Sequence, residues 1–428
     1  ATERTESFDD RENGDKASNP LCWRSVSTRP SVLPPLLCGE KMSAPLKVGL
    51  IGCGNVVQYG HRPALMTLPD IKLVALADIT PARRAIGQAW FGLSDDQLHA
   101  DYRELLAIDE IDAVVIAVPQ KHRPQIALDA FAARKHVLSE KPISNVPAIA
   151  ADLVRAAEAA NLKLAMVHNY HFLPEYRQIK RLLSEGLVGD LRVATLNVLG
   201  VSDYPGAAEY QADWRHTLAA GGGVLMDMIH AVYLAEWLAG EEAQQVMAFV
   251  DAPEYAHRQP VIEDLALLQI AFPSAYAVIH MAWGEGVGGA DISGGDGQIR
   301  MRYKQYQSGG FNQPIELYSV DSNWNRSDHA IANREAHAEA TADSFIALYA
   351  DFRDAIRADR EPIAPGAAGA RALEIVLGAY ASAVTGRVVS LPLDCDSPVY
   401  QKGIEGIAEL DVWEESKTKA AGLFGLRK

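Results

Sequence analysis

The chain is poor in cysteine, short of cationic side chains, and free of long uninterrupted apolar runs. Four cysteines in 428 residues cannot build a cross-linking framework. Cys22 and Cys38 lie near the start, Cys53 sits between two glycines, and Cys395 lies near the end. A reduced, cytoplasmic setting is the expectation. Lys and Arg number 40 against 55 Asp and Glu, a formal net charge of −15. Nucleic acid and anionic membrane surfaces need clustered cations, so neither is expected as a partner. No apolar run reaches the ~18 residues of a membrane-spanning helix. The opening residues lack the basic-then-apolar order of a secretory signal. Residues 1–44 mix charge, Ser and Pro without a period, and Met42 stands just before the first strand, so they read as a disordered leader or tag.

What the chain does have is a strand–helix rhythm. With 48% hydrophobic residues it is mostly globular, and its length calls for two domains. Val48–Ile51, Lys72–Ala77, Ala113–Val118, His136–Ser139 and Lys163–Val167 read as buried strands. Helices are expected near Asn55–Leu68, after Thr80-Pro81, over Ile126–Arg134 and over Val146–Ala160. Such repeats predict a doubly wound parallel sheet over residues 45–168. Beyond it, over 169–395, the rhythm changes to Leu191–Leu199, Val246–Val250, Leu265–Phe272, Ala277–Ala282 and Gln298–Tyr303 as strands, with helices over Gly221–Leu238, Ala340–Ala358 and Ala367–Thr385. This predicts an α/β domain with an open, largely antiparallel mixed sheet, one face covered by those helices and the other paired with a second subunit in a homodimer or homotetramer. Gly284–Gly297 reads as a lid or hairpin connection, and 396–428 as a C-terminal tail.

Two short stretches carry the chemistry. Lys47-Val-Gly-Leu-Ile-Gly52-Cys-Gly54-Asn55-Val56 is a buried strand breaking into glycines, which let backbone approach a pyrophosphate while the next helix offers its N-terminal N–H groups. Asp78, ending the second strand, is placed for the adenosine ribose, and its carboxylate would repel a 2′-phosphate. Arg83 and Arg84 follow on the next helix, so NAD is favoured over NADP without being settled. His136-Val-Leu-Ser-Glu140-Lys141-Pro142 puts a lysine at a strand's carboxyl end, in the crevice where open parallel sheets bind ligands. A free lysine titrates near about 10.4; partial desolvation and a cationic nicotinamide would lower it toward proton-transfer work. Glu140 either orients that lysine or faces the nicotinamide ribose.

These segments, with Gly221-Gly-Gly-Val-Leu-Met-Asp227-Met-Ile-His230, resemble the Gfo/Idh/MocA oxidoreductases, the family of glucose–fructose oxidoreductase and inositol dehydrogenase. The likeness runs from about Leu46 to Pro392. It implies a Rossmann domain plus an α/β domain, homo-oligomers, and NAD(P)-linked chemistry on sugars or cyclitols. On this reading Gly52, Gly54, Asn55, Val56, Asp78, Val118, Pro119, Glu140 and Lys141 hold NAD, and Lys141, Asp227 and His230 are catalytic. The chain departs from the family in three places. Val57 fills the third small-residue position of the glycine motif, Arg123 stands where a histidine is usual, and the Asp-to-His spacing is shortened to Asp227-Met-Ile-His230.

Tyr170 and His171 at the domain hand-over, with Trp214 and Arg215 before the glycine turn, are candidate substrate contacts. His168 and His171 have metal-ligand spacing but no cysteine or carboxylate cluster beside them, so no metal is expected. The expected function is an NAD-dependent dehydrogenase or ketone reductase for a sugar, sugar derivative or cyclitol. Two alternatives stand beside it: a glycosidase that oxidises its substrate transiently, and a non-catalytic nucleotide-sensing or partner-binding protein on the same scaffold.

Overall fold

A computed structural model describes residues 44–201, 221–252, 262–283, 288–303, 315–329 and 337–411. The N-terminal stretch through residue 43, and Asp213, Trp214 and Arg215, lie outside the described residues.

The first part alternates β1 (Leu46–Ile51), a π-helical turn (Val57–His61) running into α1 (Arg62–Thr67), β2 (Ile71–Ala77), α2 (Pro81–Phe91), β3 (Leu98–His99), α3 (Tyr102–Leu106), β4 (Ala113–Ile116), α4 (Arg123–Ala132), β5 (His136–Ser139), α5 (Pro147–Ala160) and β6 (Leu164–Met166). The strands are parallel, in the order β3-β2-β1-β4-β5-β6. The order reverses between β1 and β4, so a crevice opens outside the carboxyl ends of those strands. Both glycine loop and Lys141 lie there. Ala113–Ile116 is buried throughout, as a strand covered on both faces requires. β3 and α3 are too short for periodicity to reveal. Pro63 falls in the first turn of α1 after the π-helical turn, an irregular helix start that its missing N–H accommodates.

The second part holds α6 (Pro174–Ser184), β7 (Leu191–Val201), α7 (Val224–Asp227), α8 (His230–Ala239), β8 (Gln245–Asp251), β9 (Leu265–Ala271), β10 (Tyr276–Trp283), β11 (Gly288–Gly294), β12 (Gly297–Tyr303), β13 (Ile315–Ser319) and β14 (Arg326–His329). It closes with α9 (His337–Arg357), α10 (Gly366–Thr385), β15 (Val389–Ser390) and α11 (Pro398–Lys402). The nine strands form one sheet, β14-β13-β12-β11-β7-β10-β9-β8-β15, in which only β7 and β10 run parallel. Much of the stretch expected as a lid or connection, Gly284–Gly297, is therefore strand β11. Its Ala290 and Ile292 are buried while Asp291 is not, an alternation that its glycines obscure.

The two long C-terminal helices do different work, which corrects the expectation that both cover the second sheet. α10 lies against β8 and also reaches α5 and β6 of the first domain. It is 20 residues long and apolar enough to pass for a membrane span, yet 83% of its most apolar window is buried inside the protein. α9 instead packs on the first domain, beside α1. Its Phe345, Tyr349 and Phe352 recur at helical spacing and join Leu46, Val48 and Leu50 in one core. At its far end Arg353 and Arg357 reach Asp70, at 2.7 and 3.1 Å. The uncovered face of the second sheet carries Phe249, Leu267, Tyr276 and Val278, all exposed.

One buried carboxyl in α10 should make stability depend on pH. Glu374 accepts the Leu393 N–H at 3.0 Å. Burial pushes its carboxyl up to about 7, against that hydrogen bond and with Glu236 adding to the rise. Its folded value thus exceeds the unfolded one, so its favourable contribution is full below the unfolded value of 4.5 and is lost as pH climbs through about 7. Glu374→Gln should match wild type near pH 4 and exceed it near pH 8 by about 3 kcal/mol, read by thermal unfolding at both pH values.

Candidate active site

The glycine loop is held from below by an aspartate. Asp78 Oδ2 accepts the Cys53 N–H at 2.8 Å, and Oδ1 accepts the Thr80 N–H at 2.8 Å. A carboxylate has about four lone-pair sites, so acceptor capacity remains for sugar hydroxyls. Gly52 has φ +93°, and a side chain there would collide with Ala117 and Val118 at the end of β4. Gly54 is different, because a Cβ built on it meets nothing within 4 Å. That open space beside a helix start is the shape a pyrophosphate requires. Arg83 reaches Asn55 Oδ1 at 3.3 Å, and Arg84 donates to the Asp78 carbonyl at 2.6 Å, so both arginines flank the same corner. Ile79 stands 87% exposed next to Asp78. Cys53 is buried, and burial raises its thiol to about 11, so it is an unreactive packing group.

At the end of β5 the charged pair divides. Glu140 turns into the protein, where its Oε1 lies 3.1 Å from His61 Nε2, and its Oε2 accepts the Lys141 N–H at 3.2 Å. His61 Nδ1 meets the Tyr349 hydroxyl of α9 at 2.7 Å. Burial alone would push the Glu140 carboxyl up, but the hydrogen bond and charge of His61, with Arg123 and Lys141 nearby, hold it below its usual value. Arg123 is 5% exposed and donates to the Val118 carbonyl at 2.8 Å and the Pro142 carbonyl at 2.6 Å. It pins the strand end at Val118–Pro119 to the lysine loop.

Lys141 turns the other way, across the seam. Its Nζ donates to the Asp227 backbone oxygen at 2.6 Å and lies 3.4 Å from Asp227 Oδ1. The Asp227 end is itself fixed by Glu263, which is 1% exposed. Glu263 Oε1 accepts N–H groups from Gly223 at 2.8 Å and Leu225 at 3.3 Å, plus the Tyr380 hydroxyl at 2.5 Å. The Glu263 carbonyl accepts the Val224 N–H at 3.1 Å. One acidic residue thus satisfies the free N–H groups at the start of α7. Gly222, at φ +136°, and Gly223 lie where a Cβ would strike Tyr380 and Glu263.

The expected single helix over Gly221–Leu238 is in fact two. α7 ends at Asp227, Met228 leaves helical geometry at φ −94°, ψ 30°, and α8 begins at His230. Asp227 and His230 therefore stand on different helices, yet His230 still lies near enough for the Lys141 charge to act on it. His230 is buried, its ring stacked on Tyr170 at 4.4 Å and its Nδ1 2.5 Å from the Tyr233 hydroxyl. His168 stacks on Tyr233 at 3.7 Å, and His171 packs between Tyr233 and Trp237. The two histidines with metal-ligand spacing thus belong to an aromatic stack.

Residues 46–168 match the NAD-binding Rossmann fold of the Gfo/Idh/MocA oxidoreductase family, and residues 180–391 match that family's C-terminal alpha/beta domain. The chain belongs to this oxidoreductase family. Among its relatives is a dTDP-3,4-didehydro-2,6-dideoxy-alpha-D-glucose 3-reductase of Saccharopolyspora spinosa, 32% identical over 44% of this chain and 54% of the relative. Another is a myo-inositol 2-dehydrogenase of Thermotoga maritima, 24% identical over 47% of this chain and 58% of the relative. The matched stretch spans little more than half the length of these relatives. A crystal structure of an oxidoreductase from Agrobacterium radiobacter, in complex with NAD+, L-tartaric acid and magnesium, shares the fold. Its TM-score is 0.70 at 20% identity, covering 81% of this chain and 98% of the other.

Several groups at the candidate site escape sequence reading. His61, Tyr233, Tyr349 and Tyr380 lie in stretches read only as helices, and Glu263 lies between two expected strands. Gln120 and Asn145 were findable, since polar residues just after Pro119 and Pro142 sit at the switch-point crevice. Both lie beside Gly221, and their side-chain oxygens are buried with no hydrogen-bond partner among the described residues. Trp214 and Arg215 lie outside the described residues. Glu263→Ala should lower stability by about 3 kcal/mol, because it orphans the Gly223 and Leu225 N–H groups and the Tyr380 hydroxyl together. Thermal unfolding of the purified variant measures this.

Proposed function

We propose that the protein is an NAD-dependent oxidoreductase that exchanges hydride between the nicotinamide and a secondary alcohol or ketone of a sugar, sugar derivative or cyclitol. The carrying observation is the Lys141–Asp227 contact at the mouth of the switch-point crevice, with His230 beside it. A lysine and a histidine there are the two groups that can meet an oxygen gaining or losing a proton. The open space at Gly54 and the carboxylate of Asp78 fit a dinucleotide's pyrophosphate and adenosine ribose. The nicotinamide supplies the hydride acceptor or donor; the chain's own groups bind, orient and handle the proton. Asp78 favours NAD over NADP, because a 2′-phosphate would bring a second anion to its carboxylate. The curated relatives named above act on a deoxysugar nucleotide and an inositol, which supports a polyhydroxylated substrate.

A screen of NAD+ and NADP+ reduction across sugars, sugar acids and inositols, with the reverse reaction on the matching ketones, should find turnover with NAD+. Lys141→Ala should cut kcat on the best substrate by about 10²–10⁴-fold; unchanged turnover would remove the lysine from the mechanism. Asp78→Ala should weaken NAD binding by at least about tenfold in calorimetry, as loss of charge-assisted hydrogen bonds to the ribose implies.

The uncovered sheet face supports self-association. Phe249, Leu267, Tyr276 and Val278 are exposed on three adjacent strands, and pairing two such faces about a twofold axis buries them with one kind of contact. Light scattering at micromolar concentration should give a dimer or tetramer for the wild type and a smaller species for Phe249→Asp. A wild-type monomer with full activity would rule the assembly out.

A further inference from the structure

Tyr233 lies one turn beyond His230 on α8, and its hydroxyl has two hydrogen-bond partners among the described residues. The Tyr170 backbone N–H donates to it at 3.2 Å, and His230 Nδ1 lies 2.5 Å away. An amide N–H can only donate, so the phenol oxygen is an acceptor toward Tyr170. The phenol's own hydrogen then has one acceptor within reach, His230 Nδ1. Tyr233 is 1% exposed, and burial holds its hydroxyl proton well beyond the usual phenol range. If Nδ1 instead carried the imidazole hydrogen, the buried phenol hydrogen would face no acceptor. The unmet donor disfavours that tautomer by about ten- to a hundredfold.

The groups surrounding His230 work against a charged ring as well. Lys141 approaches from the end of β5, with Asp227 of α7 engaged on that lysine, while His168, Tyr170 and His171 come from the turn before α6 and Tyr233 from α8. Burial first, then the neighbouring Lys141, pushes the titration of the His230 ring well below its ordinary range. Stacking on Tyr170 at 4.4 Å, with 20° between the planes, fixes the ring's tilt.

We propose that Tyr233 locks His230 as the neutral Nε2–H tautomer, so that His230 meets the substrate oxygen as a fixed hydrogen-bond donor and the exchanged proton belongs to Lys141. This rests on the oxidoreductase reading above and divides the labour within it. On oxidation the hydroxyl O–H bond breaks and its proton passes to unprotonated Lys141 Nζ, while the two electrons leave the carbon with the hydride. On reduction the ammonium returns the proton to the new alkoxide. His230 keeps its hydrogen in both directions. Tyr233 is a positioning residue that acts through the histidine.

Two measurements on the full chain test this separately. Long-range proton–nitrogen NMR of [15N]histidine-labelled protein, with the His230 signals assigned by their loss in His230→Gln, reads the tautomer without substrate or nucleotide. The expected result is a neutral Nε2–H ring from about pH 5.5 to about 8.5, and a mixture of tautomers in Tyr233→Phe. An Nδ1–H ring in the wild type, or titration near about 6.5, overturns the proposal. On the best substrate, His230→Ala should lose about 10²–10³-fold in kcat, as removal of one oxyanion donor does. His230→Gln, whose side-chain amide can place an N–H near the Nε2 position, should regain at least about tenfold of that loss. A Gln variant as slow as Ala would return proton transfer to the histidine. A wild type with no turnover on any sugar or cyclitol defeats the oxidoreductase reading alone, and the NMR then decides the tautomer by itself.

Discussion

A single lysine side chain sits where the two halves of this protein meet. Lys141 Nζ lies against the carbonyl and carboxylate of Asp227, and each partner is where it is because other buried groups hold it. Behind the lysine stand Glu140, His61 and Tyr349, with Arg123 tying the loop to β4. Behind the aspartate stand Glu263 and Tyr380, capping a four-residue helix that would be marginal alone. A long, flexible cationic side chain costs rotamer entropy to order. The surrounding acceptors offset that cost in the folded scaffold, so the lysine is positioned before any substrate arrives.

The division of carboxylates follows the same logic. Glu140 is buried beside cations and is held below its usual value, so it stays ionised and steadies positive charge. Glu263 is buried among neutral donors and is pushed up to about 7. Similar burial therefore yields opposite shifts, decided by whether the partners carry charge.

Much of this was legible in the sequence, and the gaps have physical causes. The run His136–Ser139 was visible as a strand to the residue, because an apolar segment bounded by a charged pair and a proline has few alternatives. β11 was hidden because five of its seven residues are Gly or Ser or Asp, types that mark turns when read without neighbours. β14, Arg326–His329, is polar throughout and is a strand through its pairing with β13. The break between α7 and α8 could not be foreseen, since Asp227 through Ala239 keeps a helical pattern and the long-range partner of the Asp227 carbonyl, Lys141, stands 86 residues earlier. His61 and Tyr233 were unreadable for a related reason: each is one polar side chain in a helical stretch, and its partners are identified only by the fold.

The return of α9 onto the first domain changes what kind of object that domain is. Its strands β1 to β6 form a contiguous block of sequence, yet the face carrying Leu46, Val48 and Leu50 is sealed by Phe345, Tyr349 and Phe352 from the last quarter of the chain. The nucleotide-binding half is therefore not a detachable cassette. Closing that core joins segments nearly 300 residues apart, a slow, non-local event compared with pairing neighbouring strands. A chain cut after β6 would expose this apolar face to solvent, and recombination of this domain with a foreign partner would have to carry α9 along as its lid. The unit that evolution can shuffle here is set by where the last helix lands.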